Sequence, residues 1–118
     1  NPEVIQRSKS EGFMAHLAEA VRKHVSVPVI TAGRISSGET AERIIAEGKA
    51  DLVGLARVLW ADPEWPIKVR EGREDEIVHC DPACEDICTQ LVMKGKPAYC
   101  PRWSPEKMRW YKDLMSKG

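Results

Sequence analysis

The sequence predicts an α/β fold, in which a strand–helix–strand crossover unit is followed by a cysteine-rich helical extension. Three observations predict it. Two short apolar runs, residues 27–32 and 51–55, flank a segment of helical periodicity. Each run ends on a small residue followed by an arginine, Gly33-Arg34 and Ala56-Arg57. The four cysteines of the 118-residue chain, Cys80, Cys84, Cys88 and Cys100, all fall near its C-terminal end.

The elements follow in order. Phe13, Leu17, Ala20 and Val21 recur at helical spacing after Ser10, which predicts a helix over residues 11–24 with Ser10 as its cap. His16 and His24 fall in this helix as surface or packing residues. Val27-Pro28-Val29-Ile30-Thr31-Ala32 reads as a buried parallel strand, with Pro28 near its start where a missing N–H is tolerated. Ser36 and Glu39 make a capping box for a second helix with Ala41, Ile44 and Ile45 on its apolar face, ended by Gly48. Asp51-Leu52-Val53-Gly54-Leu55 is the second strand, and a short helix over residues 58–61 follows. Strand, helix and parallel strand form one crossover unit.

Further along, Asp62-Pro63-Glu64 predicts a cap with proline at the first helical position, opening a helix that runs towards Gly72 and offers Trp65, Ile67 and Val69 for packing. A helix is expected over residues 85–93, after a turn at Asp81-Pro82. Ser104-Pro105-Glu106 repeats the cap-and-proline start for a last helix to about Ser116, which carries Met108, Trp110, Tyr111, Leu114 and Met115.

Charge and hydropathy exclude several function classes. The 18 basic residues balance the 18 acidic ones, so nothing recommends nucleic acid or an anionic membrane as partner. No apolar run approaches the roughly 20 residues that span a bilayer, and no signal peptide or lipidation motif is visible. A soluble, cytoplasmic location is the expectation.

The two strand ends are candidate binding positions. Both deliver a small residue and an arginine to the C-terminal edge of a parallel sheet, where α/β folds bind ligands. A small residue lets an anion approach backbone N–H groups, and a guanidinium can bind phosphate with two parallel hydrogen bonds. Gly-Arg and Ala-Arg are weak motifs alone, and loop arginines also serve in ordinary ion pairs.

The cysteines carry the second signal. They are separated by three, three and eleven residues. On a helix, Cys84 and Cys88 would lie one turn apart on the same face. Four thiolates satisfy tetrahedral zinc or the corners of an iron–sulfur cluster. Zinc sites usually pair their ligands as C-x2-C twice, a pattern absent from this chain, which favours iron–sulfur. Two disulfides and four unligated thiols are the competing readings. His79, beside Cys80, is either a hydrogen-bond donor near that site or a solvated loop residue.

The residues quoted above carry a family resemblance. The ordered string from Val27 to Ile35, then Ala41-Glu42, Ala46-Glu47-Gly48, Ala50 to Arg57 and Ala61-Asp62-Pro63, resembles the end of the old yellow enzyme family of NADH:flavin oxidoreductases. The cysteine group resembles the branch that includes 2,4-dienoyl-CoA reductase and trimethylamine dehydrogenase. That branch usually has two residues between its first two cysteines, where this chain has Asp81, Pro82 and Ala83.

The resemblance implies the C-terminal portion of a (β/α)8 TIM barrel over residues 1–75, its last two parallel strands with their helices, then a Cys-rich metal- or cluster-binding segment with a terminal helix over residues 76–118. Such a barrel takes about 200 residues or more, so the chain resembles a piece of a longer enzyme and would be inactive alone. It implies FMN phosphate binding at Gly33, Arg34, Ala56 and Arg57, and a [4Fe-4S] cluster, with zinc as the alternative metal, on Cys80, Cys84, Cys88 and Cys100. The implied activity passes hydride from NAD(P)H through FMN to a small activated alkene, as in an ene-reductase or enoyl reductase. Family residues that contact substrate lie on earlier strands, so no catalytic residue is assigned. The rival reading is a non-catalytic zinc-binding structural module. Two strands alone leave open edges and an uncovered face, and four tryptophans add apolar surface, so self-association or docking with the missing barrel part is expected.

Overall fold

A computed structural model describes residues 10–80 and 84–118. Within them, α1 (Ala15–Arg22), β1 (Ile30–Ala32), α2 (Gly38–Ala46) and β2 (Leu52–Gly54) form the crossover unit. Two short helices follow, α3 (Arg57–Ala61) and α4 (Trp65–Arg70), then a 3₁₀ turn over Glu74–Glu76. The extension holds α5 (Ile87–Met93) and α6 (Pro105–Ser116).

The strands pair in parallel with Ile30 opposite Leu52, Thr31 opposite Val53 and Ala32 opposite Gly54. Alternation sends Thr31 and Val53 to one face and Ile30 and Leu52 to the other. The first face is covered, since Ala15, Ile35, Ile44 and Ala50 form the buried core with Val53 and Leu55 packed against it. The second face is open, leaving Ile30 64 % and Leu52 52 % exposed. The radius of gyration is 16.5 Å, above the about 13–14 Å expected of a compact chain of this length.

Both strands are shorter than the apolar runs suggested. The pairing is prolonged below β1 by Asp51 N–H donating to Val29 O at 2.9 Å, while Val27 remains exposed. Asp51 also fixes this end through its side chain, accepting from Val29 N–H at 2.8 Å and from the Arg22 guanidinium at 3.0 Å.

The first helix starts later than expected, and Ser10 does not cap it. Its N-cap is Met14, which makes no side-chain cap bond. Residues 11–14 form a turn instead, with Gly12 at φ +67°, a value that suits glycine. A Cβ on Gly12 would lie 3.1 Å from Ile44 Cδ1, so the close approach to α2 also selects glycine. This turn delivers Glu11 to α2. The cap of α2 is accordingly Ser37, not Ser36: Ser37 Oγ accepts from Thr40 N–H at 3.2 Å, whereas Ser36 is held by Glu11. Gly48, at φ +70°, ends the helix as its position predicted.

Asp62-Pro63 does not cap α4 in the expected way. The N-cap is Glu64, and Pro66 stands in the first turn. Asp62 is buried and accepts from Glu64 N–H at 3.0 Å through Oδ1, leaving Oδ2 for other partners. The last helix matches its reading, with Ser104 Oγ accepting from Lys107 N–H at 3.2 Å and Pro105 at the first position. The turn expected at Asp81-Pro82 lies outside the described residues. Among the described residues, no helix is long and apolar enough to cross a membrane.

Candidate functional site

A cleft of about 460 Å³ opens at the C-terminal ends of β1 and β2. Gly33 and Arg34 line it from the first strand end, Ala56 and Arg57 from the second. The four residues singled out from the sequence therefore share one volume. Glu11, Cys80 and Asp86 join them.

The turn after β1 is shaped by two consecutive positive φ angles, +127° at Gly33 and +50° at Arg34. A Cβ at Gly33 would come within 2.8 Å of Met14 Cγ and 3.2 Å of Phe13 Cε1. Glycine is thus required both by backbone conformation and by the residues ahead of α1. Arg34 O accepts from Gly12 N–H at 3.2 Å, tying the turn to the same segment.

Glu11 occupies the start of α2. Its Oε1 accepts from Ser36 N–H at 2.7 Å, Ser36 Oγ at 2.9 Å and the Ser37 N–H, and its Oε2 accepts from Ser37 Oγ at 3.1 Å. Burial raises its pKa, but the bonds from Ser37 and Ser36 outweigh burial and hold the carboxyl at about 2. The amides of Ser36 and Ser37, just ahead of α2, are therefore already engaged and not offered to an anion. Nothing in the sequence pattern signalled this, since Glu11 and Ser36 are 25 positions apart.

On the other side, the Arg57 guanidinium donates through Nη1 to Asp86 Oδ1. Both side chains are about half exposed, 44 % and 51 %, so the pair adds little stability and leaves the guanidinium accessible from the cleft.

The cysteines approach one another without the arrangement expected of a helix. Glu85 and Asp86 have φ of +54° and +56°, so α5 starts only at Ile87 and Cys84 stands ahead of it. Cys84 and Cys88 are consequently not successive positions on one helical face. All four cysteines are free, with Cys100 buried and the others half-buried. Burial pushes the Cys80 thiol up, the Arg57 charge opposes that, and the charges of Cys84, Cys100 and Cys88 add to it. Cys80 is thus within electrostatic reach of each of the other three cysteines. Among the described residues, however, no three His, Cys, Asp or Glu side chains are disposed to hold a metal ion.

The extension is anchored by aromatic contacts. Trp103 Nε1 donates to Trp60 O at 2.7 Å, and the two rings lie 5.9 Å apart. Tyr111 packs on Trp103 and Tyr99 at 6.0 and 5.5 Å, its hydroxyl donating to Pro97 O. Lys107 Nζ sits 4.2 Å over the Trp103 ring.

Comparison with known proteins places this geometry. The sequence profile of the NADH:flavin oxidoreductase / NADH oxidase family matches residues 3–76. The chain is 51 % identical over 80 residues to an NADH oxidase of Thermoanaerobacter brockii, covering 67 % of this chain and 12 % of that one. It is 43 % identical over 89 residues to a metal reductase of Desulforamulus reducens, covering 75 % and 13 %. The fold superposes on a 2-naphthoyl-CoA reductase with a TM-score of 0.74 at 34 % identity, covering 82 % of this chain and 15 % of that one. The chain thus spans only about an eighth of the length of the curated relatives it matches.

Proposed function

Because the chain belongs to the NADH:flavin oxidoreductase / NADH oxidase family, we propose that it supplies the flavin-phosphate site and an iron–sulfur site of an FMN-dependent NAD(P)H:flavin oxidoreductase of ene-reductase type. On this reading the segment to residue 75 is the last two strand–helix units of a (β/α)8 barrel, and residues 76–118 are the cluster-binding extension. The observation that carries it is the shared cleft at the strand ends.

Gly33 and Ala56 leave room for phosphate oxygens to reach the backbone, and Arg34 and Arg57 offset the phosphate charge. Glu11 already engages the amides of Ser36 and Ser37, so the affinity of the site falls to the two arginine-bearing turns. Bound FMN would supply hydride transfer between a reduced nicotinamide and an activated alkene.

The cysteine set fits a metal centre in its chemistry. Four free thiols are present, with Cys80 in the cleft wall and within electrostatic reach of the other three. A cluster on Cys80, Cys84, Cys88 and Cys100 would add one-electron transfer near the flavin. Metal binding and ordering of the ligands would then be one free-energy change. Family membership tells against a non-catalytic zinc module. The open face carrying Ile30 and Leu52 supports packing against further barrel strands or self-association.

Arg57→Ala tests the phosphate role. It removes a charged hydrogen-bond donor, so FMN affinity should fall by about 10- to 100-fold. Unchanged affinity with the fold intact would overturn the assignment. An anaerobic spectrum with metal analysis tests the cluster: an absorption shoulder near 400 nm and about four irons per chain support it, and zinc without a chromophore rejects it.

A further inference from the structure

We propose that Asp62 and Lys68 form a buried clamp that positions Cys80 for metal binding; this rests on reading the cysteine segment as a metal site. Asp62 is 4 % exposed. Its Oδ2 accepts from Lys68 Nζ at 2.7 Å and from Val78 N–H at 2.9 Å, and its Oδ1 from Glu64 N–H at 3.0 Å. Lys68 Nζ donates again to Glu76 O at 3.1 Å. Ile77, between the two anchored backbone groups, is buried.

Three consecutive residues, Glu76, Ile77 and Val78, are therefore each pinned by a different contact. Cys80 follows two positions later and enters the cleft wall. Its partners arrive differently: Cys84 and Cys88 belong to or precede α5, which buries no residue of its own. Cys80 is thus held by the folded body, whereas Cys84 and Cys88 stand ahead of or on an element with no buried residue. A buried ion pair is a weak source of net stability, because desolvation offsets its attraction. Its value at this position is to fix the chain where it leaves the 3₁₀ turn at Glu76, and hence where the first thiol stands. Asp62 and Lys68 have their side chains engaged with each other and with backbone groups, so they act through the backbone of residues 76–78 and not as metal ligands.

The test uses the anaerobically purified protein, stripped of metal and reconstituted with ferrous iron and sulfide. Asp62→Ala removes the three bonds to the carboxylate, leaving only Lys68 on Glu76 O, and should weaken iron uptake about tenfold or more. In the metal-free protein, the same variant should raise the rate of iodoacetamide alkylation at Cys80 relative to Cys100, read by mass spectrometry. Lys68→Met should act in the same direction with a smaller effect, since Val78 and Glu64 keep their acceptor. Ile44→Ala, a core truncation under α2, controls for lost stability. The clamp is overturned if Asp62→Ala and Lys68→Met bind iron as tightly as the unsubstituted protein with an unchanged alkylation ratio, or lose no more than Ile44→Ala does. If Asp62→Ala does not fold, Lys68→Met and Asp62→Asn decide by the same two readings. Should the unsubstituted protein take up no iron, the cluster reading fails, and the Cys80 to Cys100 alkylation ratio still decides whether the clamp holds that thiol in place.

Discussion

The two strand ends and the cysteine extension are built on different principles. The strand-end region is closed by directed contacts: four bonds from Ser36 and Ser37 converge on Glu11, Gly12 and Gly33 let the side chains of Ile44 and Met14 approach the backbone, and Trp65 reaches under the loop. The extension has no buried residue in α5 or α6 and is held mainly by tryptophan and tyrosine stacking on α3. Val92 and Met93 stand 62 % and 81 % exposed. The cleft proposed for phosphate is shaped in advance by backbone and carboxylate hydrogen bonds, because the protein supplies both partners. The proposed four-cysteine site would instead be completed by the metal, whose binding both deprotonates and gathers its ligands.

Trp65→Ala should have the largest effect and strikes the preformed side. The indole is 4 % exposed, and its Nε1 donates to Ser36 O at 2.9 Å. Truncation opens a cavity and leaves that carbonyl unpaired, which should cost about 3–5 kcal/mol. Denaturant unfolding followed by circular dichroism should show the whole crossover unit losing stability. A loss below about 1 kcal/mol would mean that the strand-end region is not held in the way its contacts indicate.

Acid should separate the two regions further. Glu11 has a folded pKa of about 2 against 4.5 for the free side chain. A depressed carboxylate contributes stability that is complete above the unfolded value and disappears as pH falls through the folded one. The loss should therefore fall between about pH 4.5 and 2 and amount to about 1–2 kcal/mol after solvent screening. Glu11→Gln should flatten this part of the stability–pH curve, while hydrogen exchange in α6 stays unchanged. A curve equally steep in the variant would assign the acid sensitivity to other carboxylates.

Sequence reading reached one region further than the other, for physical reasons. The strand–helix–strand order, Gly48 as a helix end and the Ser104-Pro105 start rest on local rules, and local rules suffice for them. The joint placement of Gly33, Arg34, Ala56 and Arg57 followed from parallel strands sharing an edge. What was missed is non-local. Glu11 turns α1's expected first turn into a contact with Ser36 and Ser37, so helix start and cap each move along the chain. Asp62 read as a cap because Asp-Pro usually is one, yet its carboxylate serves Lys68 and Val78. The left-handed pair Glu85-Asp86 separated Cys84 from α5, and neither residue type announces that conformation as glycine would.

The smallest effect probes the extension alone. Ser104 Oγ caps α6 by accepting from Lys107 N–H, and no residue of α6 is buried. Ser104→Ala should cost about 1 kcal/mol. Because the helix is tied to the body by Trp103 and Tyr111 and not by a core of its own, that cost should appear as faster amide exchange within α6, with the unfolding midpoint of the crossover unit almost unmoved. Metal loading should suppress the faster exchange if Cys100, which lies four residues before the cap, is drawn into a centre with the other thiols. An exchange rate that rises equally in α2 and α6 would show instead that the two regions unfold as one unit, and the contrast between a preformed cleft and a metal-closed extension would fail.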